Sequence, residues 1–164
     1  MADLVTHLAT ALIPGVALPR ARAALLATGV ALPDLGGRVP GLAREGLESL
    51  GLATVDGMQV PFAVLHQPIG AVLAGLLLSW LLPQDKRVDA AFILGLGVLL
   101  HLAVDVLQDH HGLGYHLLAP LHFGRFELGC IGSEATVPWV PWLALATALL
   151  WAARWAWERR NQAG

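Results

Sequence analysis

His101 and Asp105 stand four residues apart in an otherwise apolar run, so an α-helix would carry both on one face. An imidazole nitrogen and a carboxylate oxygen placed that way can chelate a divalent cation, and both donor types suit Zn²⁺. The same pair can instead close a buried His–Asp hydrogen bond that neutralises two polar groups. Other polar residues interrupt apolar stretches in the same manner: Thr6-His7, Pro33-Asp34, His66, and then Asp109-His110-His111 with Tyr115, His116 and His122 close behind. Ionisable groups inside apolar segments are costly, and they mark functional sites. The chemistry open to such a set is activation of water, in which a cation lowers the water's pKa and a nearby carboxylate or imidazole takes the proton. Asp109, His110 and His111 directly follow the His101–Asp105 helix and are the candidate general acids or bases. Arg38 and Arg125 could bind a phosphate through paired guanidinium N–H groups, or act as interfacial anchors. His122 is a further candidate substrate contact, with a plain surface position as the alternative. Covalent catalysis has little support. The chain lacks H-E-x-x-H, G-x-S-x-G and a Walker loop, and its one cysteine, Cys130, has no obvious base beside it.

The elements that position these residues follow from composition. Of 164 residues, 56% are hydrophobic and only 13% are Asp, Glu, Lys or Arg, against about 25% charged in ordinary soluble domains. Mean hydropathy is +0.63 and the formal net charge −2. These figures exclude a disordered chain, a nucleic-acid binder built on a basic surface and a disulfide scaffold, and they favour a small membrane protein. Met1-Ala2-Asp3-Leu4 carries no basic run, so a cleaved signal peptide is not expected. Five apolar segments are predicted: about Leu4 to Leu18, Ala23 to Pro33, Val60 to Leu82, Ala90 to Leu107, and Val137 to Trp157. The last three have the roughly 20 residues a spanning helix needs. The first two are shorter and form tilted spans or a buried hairpin. Trp139 and Trp142 flank one end of the last segment, and Trp151, Trp155 and Trp157 the other. An ideal helix rises about 27 Å from Trp139 to Trp157, close to hydrocarbon thickness. Ala71, Gly75 and Ser79 make a small-residue packing stripe. Gly41 to Val55 reads as a short amphipathic surface helix. Gly15-Val16-Ala17-Leu18-Pro19 echoes Gly29-Val30-Ala31-Leu32-Pro33, as two similar hairpin arms would. The expected fold is one all-α domain over residues 1–164, a polytopic membrane bundle of about five helices.

If all five segments cross, Arg20, Arg22, Lys86, Arg87, Arg154, Arg159 and Arg160 share one side, and Arg38, Arg44 and Arg125 the other. The excess makes the first side cytoplasmic, together with the C-terminus. His7, Asp34, His66, His101 and Asp105 then sit towards the outward ends of four segments. Convergence of donors from several helices at one depth is how metal sites in helix bundles are assembled.

The order Thr6-His7, Pro33-Asp34, a His opening an apolar helix, and His101-x-x-x-Asp105 followed by Gly112, Gly114 and Pro120 resembles the bacterial inner-membrane metal-dependent hydrolases of the LexA-regulated group. That group is in turn similar to zinc-dependent phospholipase C and single-strand nuclease enzymes. The resemblance covers about residues 4 to 122. It implies a multi-pass inner-membrane protein with His7, Asp34, His66, His101 and Asp105 as ligands of one or more divalent ions, zinc foremost. Gly36 stands where the family often has a second Asp, and His110, His111, His122, Glu127 and Glu134 are the residues available to replace it. The expected activity is hydrolysis of a phosphoester in a lipid or lipid-linked substrate at the outer membrane interface, with no nucleic acid as partner. Two other classes stay open: a metal or proton transporter, and a non-catalytic membrane protein with a structural metal.

Overall fold

Backbone N–H and C=O groups surrounded by apolar side chains must pair among themselves, and a helix does so within one segment. The computed structural model describes residues 4–52, 65, 67–109, 116, 121–132 and 134–162, apart from the side chains of residues 36–38, and among them it is an all-α protein. Its helices are α1 (Leu4–Gly15), α2 (Arg20–Ser49), α3 (Pro68–Trp80), α4 (Arg87–Leu107) and α5 (Val140–Gln162), with 3₁₀ turns at Gln84–Lys86 and Val137–Trp139. Strands β1 (Gln108–Asp109) and β2 (Ile131–Gly132) form a short parallel ladder that ties the segment before α5 to the end of α4.

Helices α1, α4 and α5 follow the expected apolar runs closely. The second element does not. The predicted short segment ending at Pro33 and the separate helix from Gly41 are one helix of 30 residues that passes through Pro33 and Pro40, about 45 Å long. Each proline costs one intrahelical hydrogen bond. The pentapeptide echo has no structural counterpart, since Gly15–Pro19 closes α1 and turns, whereas Gly29–Pro33 lies inside α2. Helix α3 starts at Pro68, a favoured first position. Residues 60–64 and 66 of the predicted third segment lie outside the described residues. Among the described residues one stretch, Gln84–Leu107, is long and apolar enough to cross a membrane, where three were expected. Helices α1 and α3 are apolar but shorter, and α5 carries Arg154 within its tryptophan-rich length.

Helix α4 is central, packing against α1, α2 and α3, while α5 lies on α1. Ala11, Leu26, Val30 and Ile93 form one buried cluster, and Ala71, Val98 and Leu102 a second. The tightest crossing is between Gly29 of α2 and Gly97 of α4. A Cβ on Gly29 would overlap the Leu94 carbonyl, and one on Gly97 would overlap the Leu26 carbonyl. The predicted stripe on α3 is also buried, with Ala71, Gly75 and Ser79 turned inward. Small residues let the backbones approach closely.

The opposite end of α4 is held by charge. Arg22 pairs bidentately with Asp89 at 2.8 and 3.1 Å. Arg20 and Arg154 both bond Glu158. Arg154 also donates to the carbonyls of Gly15 (3.3 Å) and Val16 (2.9 Å), and to that of Leu18, closing the end of α1. Arg154, and then Arg20, hold the Glu158 carboxyl below its usual range. Arg87, Arg154 and Arg159 lie over the faces of Trp80, Trp151 and Trp155. Basic residues predicted to share one side thus gather at one end of the bundle.

Candidate metal centre

The Gly29–Gly97 contact sets the geometry of the buried polar groups. Val30 follows Gly29, and His101 lies one turn beyond Gly97. The close crossing brings His101 Nδ1 to 2.8 Å from the Val30 carbonyl oxygen. A carbonyl only accepts, so Nδ1 carries the proton and Nε2 faces the other way. There, His101 Nε2 lies 3.1 Å from Asp105 Oδ2, and His7 Nε2, from the first turn of α1, lies 3.2 Å from Oδ1. The two imidazoles stack with centroids 4.0 Å apart and planes 18° apart. His7, His101 and Asp105 are all buried, at 1%, 0% and 2% exposure. One ligand atom from each can be chosen so that all lie within 4.8 Å of one another.

Without a cation the three side chains close as an ion pair, one imidazolium on His101 donating to Asp105 and a neutral His7 donating Nε2–H to its other oxygen. With Nδ1 donating to Val30, a neutral His101 presents a lone pair to a carboxylate. Protonating both histidines puts two like charges in a stacked pair, at a depth where charge is weakly screened. His7 Nδ1 is buried with no hydrogen-bond partner among the described residues. Two imidazole nitrogens and a carboxylate oxygen are also a fitting donor set for a divalent cation. A backbone carbonyl on the far nitrogen of a ligand histidine is the usual means of fixing its tautomer. Catalytic zinc sites commonly have three protein ligands, two imidazoles and a carboxylate among the known combinations, with a fourth position left for water. The residues therefore could hold a metal ion, although the same three side chains are also ion-paired to one another.

Of the five predicted ligands, His7, His101 and Asp105 come together. Asp34 is buried at 2% on α2, one turn beyond Val30, but stays outside that group. His66, His110 and His111 lie outside the described residues, as does the side chain of Arg38. Asp109 is half-buried in β1 directly past the end of α4. His122 and Arg125 are exposed on a segment that returns to α4 through Leu128 N–H to the Val106 carbonyl at 2.7 Å. Neither joins the buried group. Gln108 is buried at 1% in β1, three residues past Asp105. One participant escaped the sequence. The Val30 carbonyl could not have been found, because a backbone acceptor leaves no mark in residue type. Compared with family models, with curated proteins and with solved structures, the chain matches none of them.

Proposed function

We propose that this protein is a multi-pass membrane hydrolase that holds a divalent metal, zinc by its donor chemistry, on His7, His101 and Asp105 and cleaves a phosphoester of a lipid or lipid-linked substrate. The observation that carries the reading is the His101 Nδ1–Val30 hydrogen bond, which turns Nε2 towards the carboxylate that His7 Nε2 also meets. A bound divalent ion at this site would supply a Lewis acid for the phosphoryl oxygen and a hydroxide at neutral pH. The chain's own residues do the rest. The Val30 carbonyl orients His101, and α1 delivers His7 from across the bundle. Asp109, next in line past α4, accepts a proton from the attacking water. His110 and His111 are its neighbours for the same task. Arg38, Arg125 and His122 are assigned to the phosphate.

The membrane reading rests on Gln84–Leu107, on the tryptophans spaced along α5, and on apolar side chains facing outward on several helices, among them Leu77, Phe92, Leu99 and Leu149. The arginine-rich end would be cytoplasmic and the His–Asp end extracytoplasmic. The ordered motifs Thr6-His7, Pro33-Asp34 and His101-x-x-x-Asp105 support membership of the inner-membrane hydrolase group they resemble. A transporter is disfavoured because Leu26, Ile93 and Leu94 close the core between the two ends. The direct contacts among the three side chains favour one competitor, a non-catalytic polar cluster or structural metal.

Two measurements separate these readings. Purified wild type should contain about one ion per chain by elemental mass spectrometry, and His101→Ala and Asp105→Ala close to none. Metal-free wild type, grown and purified with zinc present, sinks the metal. A panel of lipid phosphates and phosphodiesters should then show turnover that a chelator abolishes. A metal-loaded protein without chelator-sensitive turnover leaves the structural role.

A further inference from the structure

Helix α5 touches the bundle along α1 and leaves a wedge beside α2. Alanines on both walls, Ala24 on one side and Ala144 and Ala148 on the other, are too short to fill it. The result is an apolar groove of about 580 Å³, completed by Leu8, Leu12 and Trp151. That volume lies in the range of ligand-holding clefts. At one end the groove reaches Arg20, where a second hollow of about 340 Å³ opens, walled by Arg20, Trp151, Arg154 and Trp155. Apolar groove and cationic hollow share Arg20 and Trp151 as walls, so they adjoin. Arg159, stacked on Trp155 at 4.1 Å, stands at the same end. Glu158 is the acidic group here, bonded by Arg20 and Arg154, so the site keeps a net positive charge. The Arg20 side chain remains 62% exposed despite that pair.

We infer that this surface is a binding site for an anionic phospholipid, with one acyl chain in the groove between α1, α2 and α5 and the phosphate at Arg20 and Arg159. The inference rests on the membrane reading above and concerns the end of the bundle away from the His–Asp centre. The charge pattern selects the occupant. An uncharged apolar ligand has no use for the arginines, and a soluble anion has none for a groove lined by leucine and alanine. Tryptophan walls with arginine beside them match the headgroup level of a bilayer.

The test uses full-length protein in detergent, delipidated and then titrated with phosphatidylglycerol or phosphatidylcholine of the same chains, with bound lipid counted by native mass spectrometry. Wild type should prefer the anionic lipid by about 25-fold, the product of about fivefold from each of two interfacial arginines. Arg20→Gln should cut the preference about fivefold but retain chain binding, and Ala148→Phe should reduce binding of both lipids. Glu158→Gln, which breaks the ion pair but keeps the arginines, should preserve or raise the preference and so exclude a merely structural effect of losing the pair. Equal binding of the two lipids by wild type, or an unchanged preference in Arg20→Gln, overturns the site. Alkaline carbonate washing of membranes tests the membrane reading separately. A chain that washes off fails that reading, whereas one that stays but shows no headgroup preference fails only this inference.

Discussion

Asp105 is the residue on which the buried centre turns, because it is the carboxylate both histidines meet. Removing one partner from a buried charged group costs about 3–5 kcal/mol, whereas replacing all partners with apolar residues of similar size is often neutral. Asp105→Leu removes the charge but leaves two buried imidazoles without their acceptor, and should destabilise the protein by about 1–3 kcal/mol. The triple change His7→Leu, His101→Leu, Asp105→Leu should be no worse than the single one, while binding no metal. Denaturant titration in mild detergent compares the two. Much of this centre was legible, since a histidine and an aspartate four apart inside an apolar run have few reasons to be there. The place of Asp34 was not, because one turn of helix decides whether a buried polar side chain joins the group. The Val30 carbonyl was invisible for a deeper reason, as every residue carries that group and packing alone makes one of them special.

At the scale of elements, two glycines on α4 separate packing from propensity. Gly97 has no room for a side chain, and Gly95 meets nothing within 4 Å. Gly97→Ala should cost about 1–3 kcal/mol by forcing α2 and α4 apart, and should weaken metal binding through the Val30–His101 bond. Gly95→Ala should gain up to about 1 kcal/mol from helix propensity. Thermal unfolding of the pair gives opposite signs if the crossing is as described. The far end of the bundle adds a pH dependence. The Glu158 carboxyl is lowered in the folded chain, so its contribution is fully present above the unfolded value of 4.5 and fades as pH falls through the folded one. Hydrogen exchange in the last turns of α5 should accelerate at pH 3 relative to pH 7, after correction for the intrinsic rate, and Glu158→Gln should remove the difference. Helix α2 shows where reading by segments fails. Pro33 and Pro40 look like stops, yet each removes a single hydrogen bond, and the helix runs on even through the poor formers Gly36 and Gly37 between them. Identical pentapeptides at Gly15–Pro19 and Gly29–Pro33 diverge because the second packs its glycine against α4 and the first has Arg154 closing its carbonyls.

For the whole molecule, the gathering of basic residues at one end was the most legible feature, since arginines and lysines that flank apolar runs need no packing to be read. If the orientation is right, Cys130, which is exposed, lies on the extracytoplasmic side. A membrane-impermeant maleimide should label it in right-side-out vesicles, and protection until lysis would reverse the topology. Less of the span count was legible. The third apolar run was read as a full crossing, whereas α3, like the short α1 that was expected to be brief, depends on α4 and α2 for cover. That dependence has a consequence during synthesis. His7 leaves the ribosome early, in the first turn of α1, but its carboxylate partner belongs to the last turns of α4. At roughly 5–20 residues per second, the interval is on the order of 5–20 s. Through that interval α1 and α2 have no α4 to pack on, and the imidazole stays open to water and to any ion that arrives. The late arrival of α4 then converts an open pair of helices into a sealed one.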